Sequence, residues 1–229
     1  MAIAFEPGSV FIGGGLGKGG GTFTATFSTT NPNDLVFMFA YVGGDAFVSI
    51  SDTSNLVWVQ RKLIQELGSG NYDTLWVAKA SSAIVSSTIT VTVGAAATGA
   101  NGFGGVISGA DYSIVFDPNA SVPASTTDTP LMTMGTSNAN DMLLAFYVTV
   151  DSNPGTPPAG WTAILDSGGN TWVGYKIVSA PQSNITIPIT VGDTSRGGIC
   201  DAIMQLSSTV VTFSIPSMNN LIFLDMEDQ

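Results

Sequence analysis

The acidic side chains are the residues of this sequence that could do acid–base chemistry. Asp151, Asp166, Asp193 and Asp201 lie in its second half, and a pair of carboxylates at a suitable distance can cleave a glycosidic bond. The sequence contains no histidine, however, so the usual proton shuttle at neutral pH and the commonest metal ligand are both missing. We therefore interpret these carboxylates as solvated turn residues, and we expect no catalytic residue, no enzymatic turnover and no cofactor.

Oxygen-rich turns are the second feature with possible chemistry. Residues 52–55, 151–153 and 166–170 combine Asp with Asn, Ser, Thr or Gly, and hard cations such as Ca²⁺ bind through oxygen ligands of this kind. None of the three segments has the spacing of an EF-hand. Asp and Asn also make turns through their own side-chain-to-backbone hydrogen bonds, so we predict turns and no metal site.

A glycine-rich run at residues 13–22 has a superficial likeness to a phosphate-binding loop. Ile12 stands where the first glycine of that motif belongs, and Gly19 stands where a Ser or Thr must hold magnesium. The run is therefore interpreted as a flexible loop, because glycine has the widest backbone freedom.

Cysteine and tryptophan allow two interpretations each. Cys200 lies in an alternating apolar run with no histidine to hold a thiolate, which favours a core thiol over a nucleophile. Trp58, Trp76, Trp161 and Trp172 could form platforms for sugar rings. They recur beside strands at related positions, so we predict that they pack in the core.

Composition limits the partners. The chain has 229 residues with 17 acidic and 6 basic side chains, a net charge of −11, 44% hydrophobic residues and 27 glycines. Such a chain should bury a packed, turn-rich core. Nucleic acid is not expected as a partner, because binding it requires a clustered basic face. No run reaches the ~18 apolar residues of a membrane span, and no signal peptide is visible at the start, so no membrane partner is expected.

Periodicity predicts strands along almost the whole chain. Residues 22–28, 87–93 and 184–191 alternate between apolar and polar types, as half-buried strands do. Residues 35–42 and 142–148 are apolar at both parities, which indicates central strands covered on two faces. No segment has a convincing helical stripe, and the nearest, residues 59–67, reads equally well as a strand entering a turn at residues 68–70.

The order of motifs suggests an internal repeat. Five segments recur in the same order: 33–37 with 140–144, the segment of Trp58 with that of Trp161, 75–80 with 172–177, 89–94 with 187–192, and 104–107 with 197–200. We predict two pseudo-repeated antiparallel halves that form a jelly-roll-like or immunoglobulin-like β-sandwich and share one core. The predicted parts are an N-terminal arm and glycine-rich joint (1–21), a first repeat (22–120), a second repeat (121–208) and a C-terminal extension (209–229).

These motifs carry a resemblance to a known class. An Asn-Asp pair before an apolar strand, the segment PPAGWT at 157–162, Tyr175-Lys176 and an Ile/Thr-rich strand resemble two-repeat β-sandwich modules of phage virion structural proteins. Similar modules occur in secreted and surface proteins of bacteria. The resemblance covers about residues 22 to 208, and a start without a visible leader is more like the phage-encoded members.

The resemblance implies a structural role in a virion. The expected function is that of a capsid decoration or cement protein on the capsid surface, which bridges subunits of the major capsid protein. The alternative is an extracellular or tail-fibre module that binds carbohydrate, which predicts exposed tryptophans on a concave sheet face, whereas the cement role predicts buried ones.

The chain ends supply the candidate contacts. Apolar side chains precede the glycine-rich run, and residues 209–215 alternate like a strand before the continuously apolar residues 221–224. Burying these side chains against a neighbouring copy predicts a homo-oligomer, with a trimer favoured. The predicted interface residues are Ile3, Phe5, Phe213, Ile215, Leu221, Ile222, Phe223 and Leu224.

Overall fold

All regular structure in the described part of the chain is extended. The computed structural model describes residues 2–127, 131–149, 159–166, 171–188 and 195–206. None of these residues is helical, which confirms the all-β class. The described strands are β1 Ala4–Phe5, β2 Phe11–Leu16, β3 Gly21–Thr29, β4 Asp34–Gly43, β5 Phe47–Asp52, β6 Trp58–Gln65, β7 Tyr72–Ala80, β8 Ile84–Val93, β9 Gly99–Ser108, β10 Ala124–Thr126, β11 Leu131–Met134, β12 Met142–Thr149, β13 Thr162–Asp166, β14 Thr171–Ile177, β15 Ile185–Pro188 and β16 Ser195–Ile203.

The strands form four antiparallel sheets. The first inner sheet has the order β9-β4-β7-β6, with β1 and β2 both pairing with β9. The second inner sheet has the order β10-β16-β12-β14-β13. The first outer sheet is β3-β8-β5, and the second outer sheet is β11-β15.

The two faces of β4 and β12 show how these sheets stack, because alternate side chains of a strand point to opposite faces. Phe37 and Phe39 of β4 share one core, the central core, with Leu144 and Phe146 of β12. The intervening side chains of β4 pack with β3 and β8, and those of β12 pack with β11 and β15. The chain is therefore a sandwich of four layers, and the prediction that residues 35–42 and 142–148 are covered on both faces is confirmed.

The central core joins the halves. The rings of Phe39 and Phe146 stack across it with centroids 5.0 Å apart and planes inclined by 10°. Each large apolar side chain buried here contributes about 1.5–3 kcal/mol relative to exposure to water. Each half supplies one of the two sheets that enclose this core. Either half alone would therefore expose the apolar inner face of its sheet to water.

The two halves use the same strand order. The order β9-β4-β7-β6 of the first half matches β16-β12-β14-β13 of the second. Asn33 and Asn140 precede the matching strands β4 and β12 with φ angles of 68° and 64°. Their N–H groups donate to the carbonyl oxygens of Ala80 and Val178 at 2.7 and 2.6 Å. That the halves are copies of one unit stays a prediction, which these correspondences support.

One of the sequence matches has a different register in the structure. The motif comparison aligned Gly104 with Gly197. Gly104 pairs with Met38, and the residue that pairs with the corresponding Ala145 of β12 is Cys200. The shared glycines misled the alignment, because strand pairing follows side-chain burial and not the identity of the small residues.

The N-terminal segment departs from the prediction of an arm and a flexible joint. Ala4 pairs with Ser108, so β1 extends the edge of the chain's own sheet. Residues 11–16 of the glycine-rich segment form β2, which also pairs with β9. A Cβ at Gly13 would meet the carbonyl oxygen of Thr24 at 2.6 Å. The glycine therefore serves close packing of β2 on β3, where the sequence suggested flexibility.

We expect the two halves to unfold together. Phe146→Ala in the second half removes half of the aromatic stack, and a large-to-small change of this kind costs about 3–5 kcal/mol. Urea unfolding followed by tryptophan fluorescence and by circular dichroism should give one coincident transition at a lower midpoint. Val85→Ala, at a strand position that is 87% exposed, is the control and should leave the midpoint nearly unchanged. Two separate transitions, with only one of them shifted by Phe146→Ala, would contradict a shared core.

Candidate functional site

Two of the eight predicted interface residues lie in the described structure. Ile3 is only 3% exposed and belongs to the central core. Phe5 is half-buried, and its ring lies 6.4 Å from that of Phe37 and 5.7 Å from that of Tyr175. Both side chains are therefore used inside this chain, because β1 is held on β9. The other six predicted residues, Phe213, Ile215, Leu221, Ile222, Phe223 and Leu224, lie outside the described residues.

The carboxylates proposed for acid–base chemistry do not form a pair in the described structure. Asp151 and Asp193 lie outside it, and Asp166 is the last residue of β13. Asp201 is fully buried on β16 and accepts hydrogen bonds from Nε and Nη2 of Arg61 on β6, at 2.8 and 3.1 Å. This ion pair links the two inner sheets.

The arginine of this ion pair has a second contact. The Arg61 guanidinium lies 3.5 Å from the ring centre of Phe116. Burial raises the pKa of Asp201, although Arg61 lowers it in part. Asp201 thus has a structural role, since its oxygens already have donors.

The oxygen-rich turn at residues 52–55 lies within the described structure, and the carboxylate oxygens of its Asp52 already accept hydrogen bonds from the same chain. Asp52 accepts hydrogen bonds from the N–H groups of Ser54 and Leu56, from Nε1 of Trp58 and from Oγ of Ser87. The prediction of a turn is thus confirmed for residues 52–55. Residues 151–153 and 167–170 lie outside the described part. Within the described ranges, no group of three or more His, Cys, Asp or Glu side chains is placed to hold a metal ion.

The tryptophans and the cysteine are packing residues. Trp76 and Trp172 are buried, and Trp58 and Trp161 are half-buried. The ring of Trp161 meets that of Trp172 edge-on at 5.8 Å. Cys200 is fully buried, and burial raises the pKa of its thiol well above the usual value. The predicted core thiol is confirmed.

A buried acidic pair that the sequence analysis did not single out lies at one end of the central core. Asp73 of β7 is fully buried, and neither of its carboxylate oxygens has a hydrogen-bond donor. It faces Gly197 of β16 so closely that a Cβ there would clash with Oδ2. Burial, followed by the nearby charge of Glu66, raises the pKa of Asp73 well above its usual value. Glu66 itself accepts hydrogen bonds from Ser69 and Asn71.

A second acidic pair joins the linker between β9 and β10, residues 109–123, to the Asn-Asp turn of the second half. Burial raises the pKa of Asp117, but hydrogen bonds from Asp141 and from the N–H groups of Asn119 and Ser137 outweigh that effect, and the pKa is lowered. Burial, then the hydrogen bond with Asp117 and its charge, raise the pKa of Asp141 to about 8. Asp141 is therefore the protonated partner at neutral pH. The motif Asn-Asp gave no sign of this, because such turn residues are usually solvated.

Four of the exposed apolar side chains in the described structure lie along or beside β6. β6 is the outermost described strand of the first inner sheet, since it pairs only with β7 there. Val57, Val59, Leu63 and Leu67, on this strand and just beside it, are 79%, 50%, 43% and 68% exposed. Native edge strands are usually blunted or covered, because an open apolar edge recruits another chain. We call these four side chains the β6 edge surface.

A groove continues this surface towards the central core. Its volume is about 430 Å³; Leu35 and Val77 line it on the sheet side, and Tyr112, Val115 and Phe116 line it on the side of the linker. The lining is mainly apolar, so the groove suits a hydrophobic side chain better than a polar ligand.

The same region carries three basic side chains, of which Arg61 is paired with Asp201 and Lys79 lies near Asp111. Arg61 and Lys62 lie on β6 and Lys79 lies on β7, and these are half of the six basic residues of the chain. Lys79 donates a hydrogen bond to the carbonyl oxygen of Tyr112 at 2.6 Å at the rim of the groove. An occupant with an acidic end would therefore find complementary charge here.

Comparisons with known proteins do not narrow the class beyond the fold. The fold defines an all-β sandwich protein with four layers. No protein-family model matches the chain, and neither a curated protein nor a solved structure is similar to it. Within the described residues, no helix has the length and apolar character needed to cross a membrane.

The Asp117–Asp141 pair predicts a pH-dependent stability. The pKa of Asp141 is raised from 3.8 to about 8 in the folded chain, so its stabilising contribution is complete below about pH 4 and is lost as the pH rises to about 8. Asp141→Asn stays neutral and should remove this loss. Between about pH 5 and about pH 9, the wild type should lose roughly 1–3 kcal/mol more than the variant in urea unfolding, the usual cost of an unsatisfied buried group.

Asp111→Asn is the control for this experiment. The carboxylate of Asp111 is exposed, and hydrogen bonds, first from Ser113, lower its pKa, so it is ionised across the whole range. Its variant should show the same pH profile as the wild type. If Asp141→Asn also follows the wild-type profile, Asp141 is not the protonated partner.

Proposed function

We propose that this chain is a structural protein of a phage virion, a capsid decoration or cement protein that stabilises the head by bridging subunits of the major capsid protein. The observation that carries the proposal is the β6 edge surface on an otherwise well-packed sandwich. Lys62 and a bulge between Gln60 and Lys62 partly blunt this edge, but its exposed apolar side chains are a liability for a chain that acts alone and are expected in a chain that is covered on assembly. The resemblance of the repeat motifs to phage virion modules supports the virion as the place of assembly.

The mechanism is adhesion by a rigid body. The four layers keep β4 and β12 covered on both faces, and the ion pair between Arg61 and Asp201 ties the inner sheets together. A rigid module loses little conformational entropy on docking, so more of the contact energy is available to hold neighbouring subunits. Each stable contact is expected to bury about 1,200–2,000 Å² in total. Bridging then adds contacts that would have to break before the head opens.

The acidic side chains support binding over turnover. Asp52, Asp117 and Asp201 all accept hydrogen bonds from their own chain, and Asp73 is sealed between β7 and β16. A general acid or base must reach a substrate proton directly or through one water. These groups do not offer that access, so we propose a protein without enzymatic activity.

The tryptophans favour the cement role over carbohydrate binding. Stacking on a sugar requires an open aromatic face, and Trp76 and Trp172 have almost none. Trp58 and Trp161 are half-buried, with Nε1 of Trp58 donating to Asp52 at 2.8 Å. We propose a homo-oligomer, with a trimer favoured, located on the capsid surface.

Mass spectrometry of purified particles tests the proposal directly. Particles of the virus that encodes the chain should contain it in a fixed ratio to the major capsid protein. Heads from a deletion mutant should bind the purified chain saturably and should release their DNA at a higher temperature once it is bound. A glycan array serves as the control for the carbohydrate alternative. Absence from particles, or saturable glycan binding without capsid binding, would refute the capsid role.

A further inference from the structure

We infer that the β6 edge surface is the docking site for the C-terminal segment, residues 207–229, of a second copy of this chain. The inference rests on the proposed assembly function and specifies how the copies would hold one another. The surface and the segment match in three respects: the unpaired backbone of a strand edge, the apolar side chains and the charges.

The backbone match is between an open strand edge and a strand-like sequence. β6 has eight residues and pairs on one side only within the described structure. Residues 209–215, of sequence TVVTFSI, alternate between apolar and polar types as a half-buried strand does. Added beside β6, this strand would satisfy the free N–H and C=O groups of the edge.

The apolar match involves the four-residue run that follows. Leu221, Ile222, Phe223 and Leu224 are consecutive, and they have the size and chemistry to fill the groove of about 430 Å³ beside β6. Side chains of this type gain most when they enter a pocket that is already formed, as the groove is here.

The charge match lies at the end of the chain. Asp225, Glu227 and Asp228 follow the apolar run directly. The rim of the groove carries Lys79, and Lys62 lies on β6. In a chain with a net charge of −11, an acidic segment is repelled from much of the surface, and Lys62 and Lys79 offer it complementary charge here.

The proposed assembly, and not reach, selects a neighbour's segment over the chain's own, and the last described residues lie beside the linker that lines the groove. The N–H of Leu206 donates to the carbonyl of Gly109 at the end of β9, whereas β6 lies at the opposite edge of the sheet. The linker stands between them: Asp111 and Val115 form hydrogen bonds with Met204, while Tyr112 and Val115 line the groove. The segment would reach roughly 70 Å when extended, enough for a neighbouring copy and also for the chain's own β6, and a monomeric wild type would indicate the second arrangement. Donor and acceptor surfaces on one chain give a head-to-tail contact, which closes into a ring in a trimer.

The test uses the full chain and two matched variants in sedimentation velocity. Leu63→Asp alters the β6 edge surface at a side chain that is 43% exposed, and Ile177→Asp makes the same change on β14 at one that is 44% exposed. The wild type and Ile177→Asp should form the same oligomer. Leu63→Asp, and separately a chain truncated after Ser208, should dissociate with a dissociation constant at least roughly tenfold higher.

A mixing experiment then identifies the contact. The truncated chain keeps the docking site and lacks the segment, while Leu63→Asp keeps the segment and lacks the site. Mixed together, they should form a one-to-one complex that neither forms alone. Far-ultraviolet circular dichroism of each protein excludes unfolding as the reason for any loss.

Three results would overturn the inference. They are a monomeric wild type, an oligomer that survives Leu63→Asp, or equal dissociation by Ile177→Asp. Capsid binding is measured separately, so the two proposals fail independently. An oligomer held through β6 that binds no capsid would reject the capsid role alone, and a monomer that still binds capsids would reject the docking site alone.

Discussion

The central core between the two inner sheets is the interaction on which the rest of the structure depends. Both β4 and β12 are apolar on two faces. Only an arrangement with another sheet on each side excludes water from both faces of such strands. Each half covers one face with its own outer sheet and leaves the other face for its counterpart. The stacked rings of Phe39 and Phe146 lie at this junction. Stability and the relative placement of the halves therefore have the same cause, and a change that loosens the core should disturb every surface that the sandwich presents.

Two of the acidic groups with raised pKa values, Asp73 and Asp201, border this junction. Asp201 enters it as the partner of Arg61, whereas Asp73 has no donor for either oxygen. A charge buried without a partner is costly, so Asp73 is held in its neutral, protonated form. Asp141 lies away from this junction, beside Asp117, and burial is the first cause of its raised pKa as well. Because the pKa values of Asp141 and Asp73 are raised, rising pH is expected to weaken the fold locally, where the linker meets the second half and where β7 meets β16.

The sequence predicts the structure correctly where the pattern of apolar and polar side chains determines it. It is misleading where close packing of one backbone on another determines it. The two doubly apolar strands, the core thiol of Cys200 and the turn at Asp52 could be predicted, because each depends on local pattern alone. The glycine-rich segment could not, since the role of Gly13 comes from the approach of β3, which no local pattern reveals. The pKa values of Asp73 and Asp141 depend on acidic partners and on burial by distant strands. The exposure of Leu63 reflects a missing neighbour at the sheet edge, and composition carries no signal of that.

The edges of the two inner sheets differ in how far their apolar side chains are buried. In each sheet one edge is extended by a segment outside the matching four strands: β1 and β2 pair with β9, and β10 pairs with β16. The opposite edges are β6 and β13, which occupy equivalent places in the strand order. β13 packs Ile164 and Leu165 against the central core, helped by a bulge in its pairing with β14. β6 has a similar bulge, yet it keeps Val59 and Leu63 exposed. β6 also turns inward in part, since Ile64 is buried in the central core. Val59 pairs with Val77 and Leu63 pairs with Thr74, so the two exposed side chains lie on opposite faces of the sheet and the exposure of this edge is a property of individual positions.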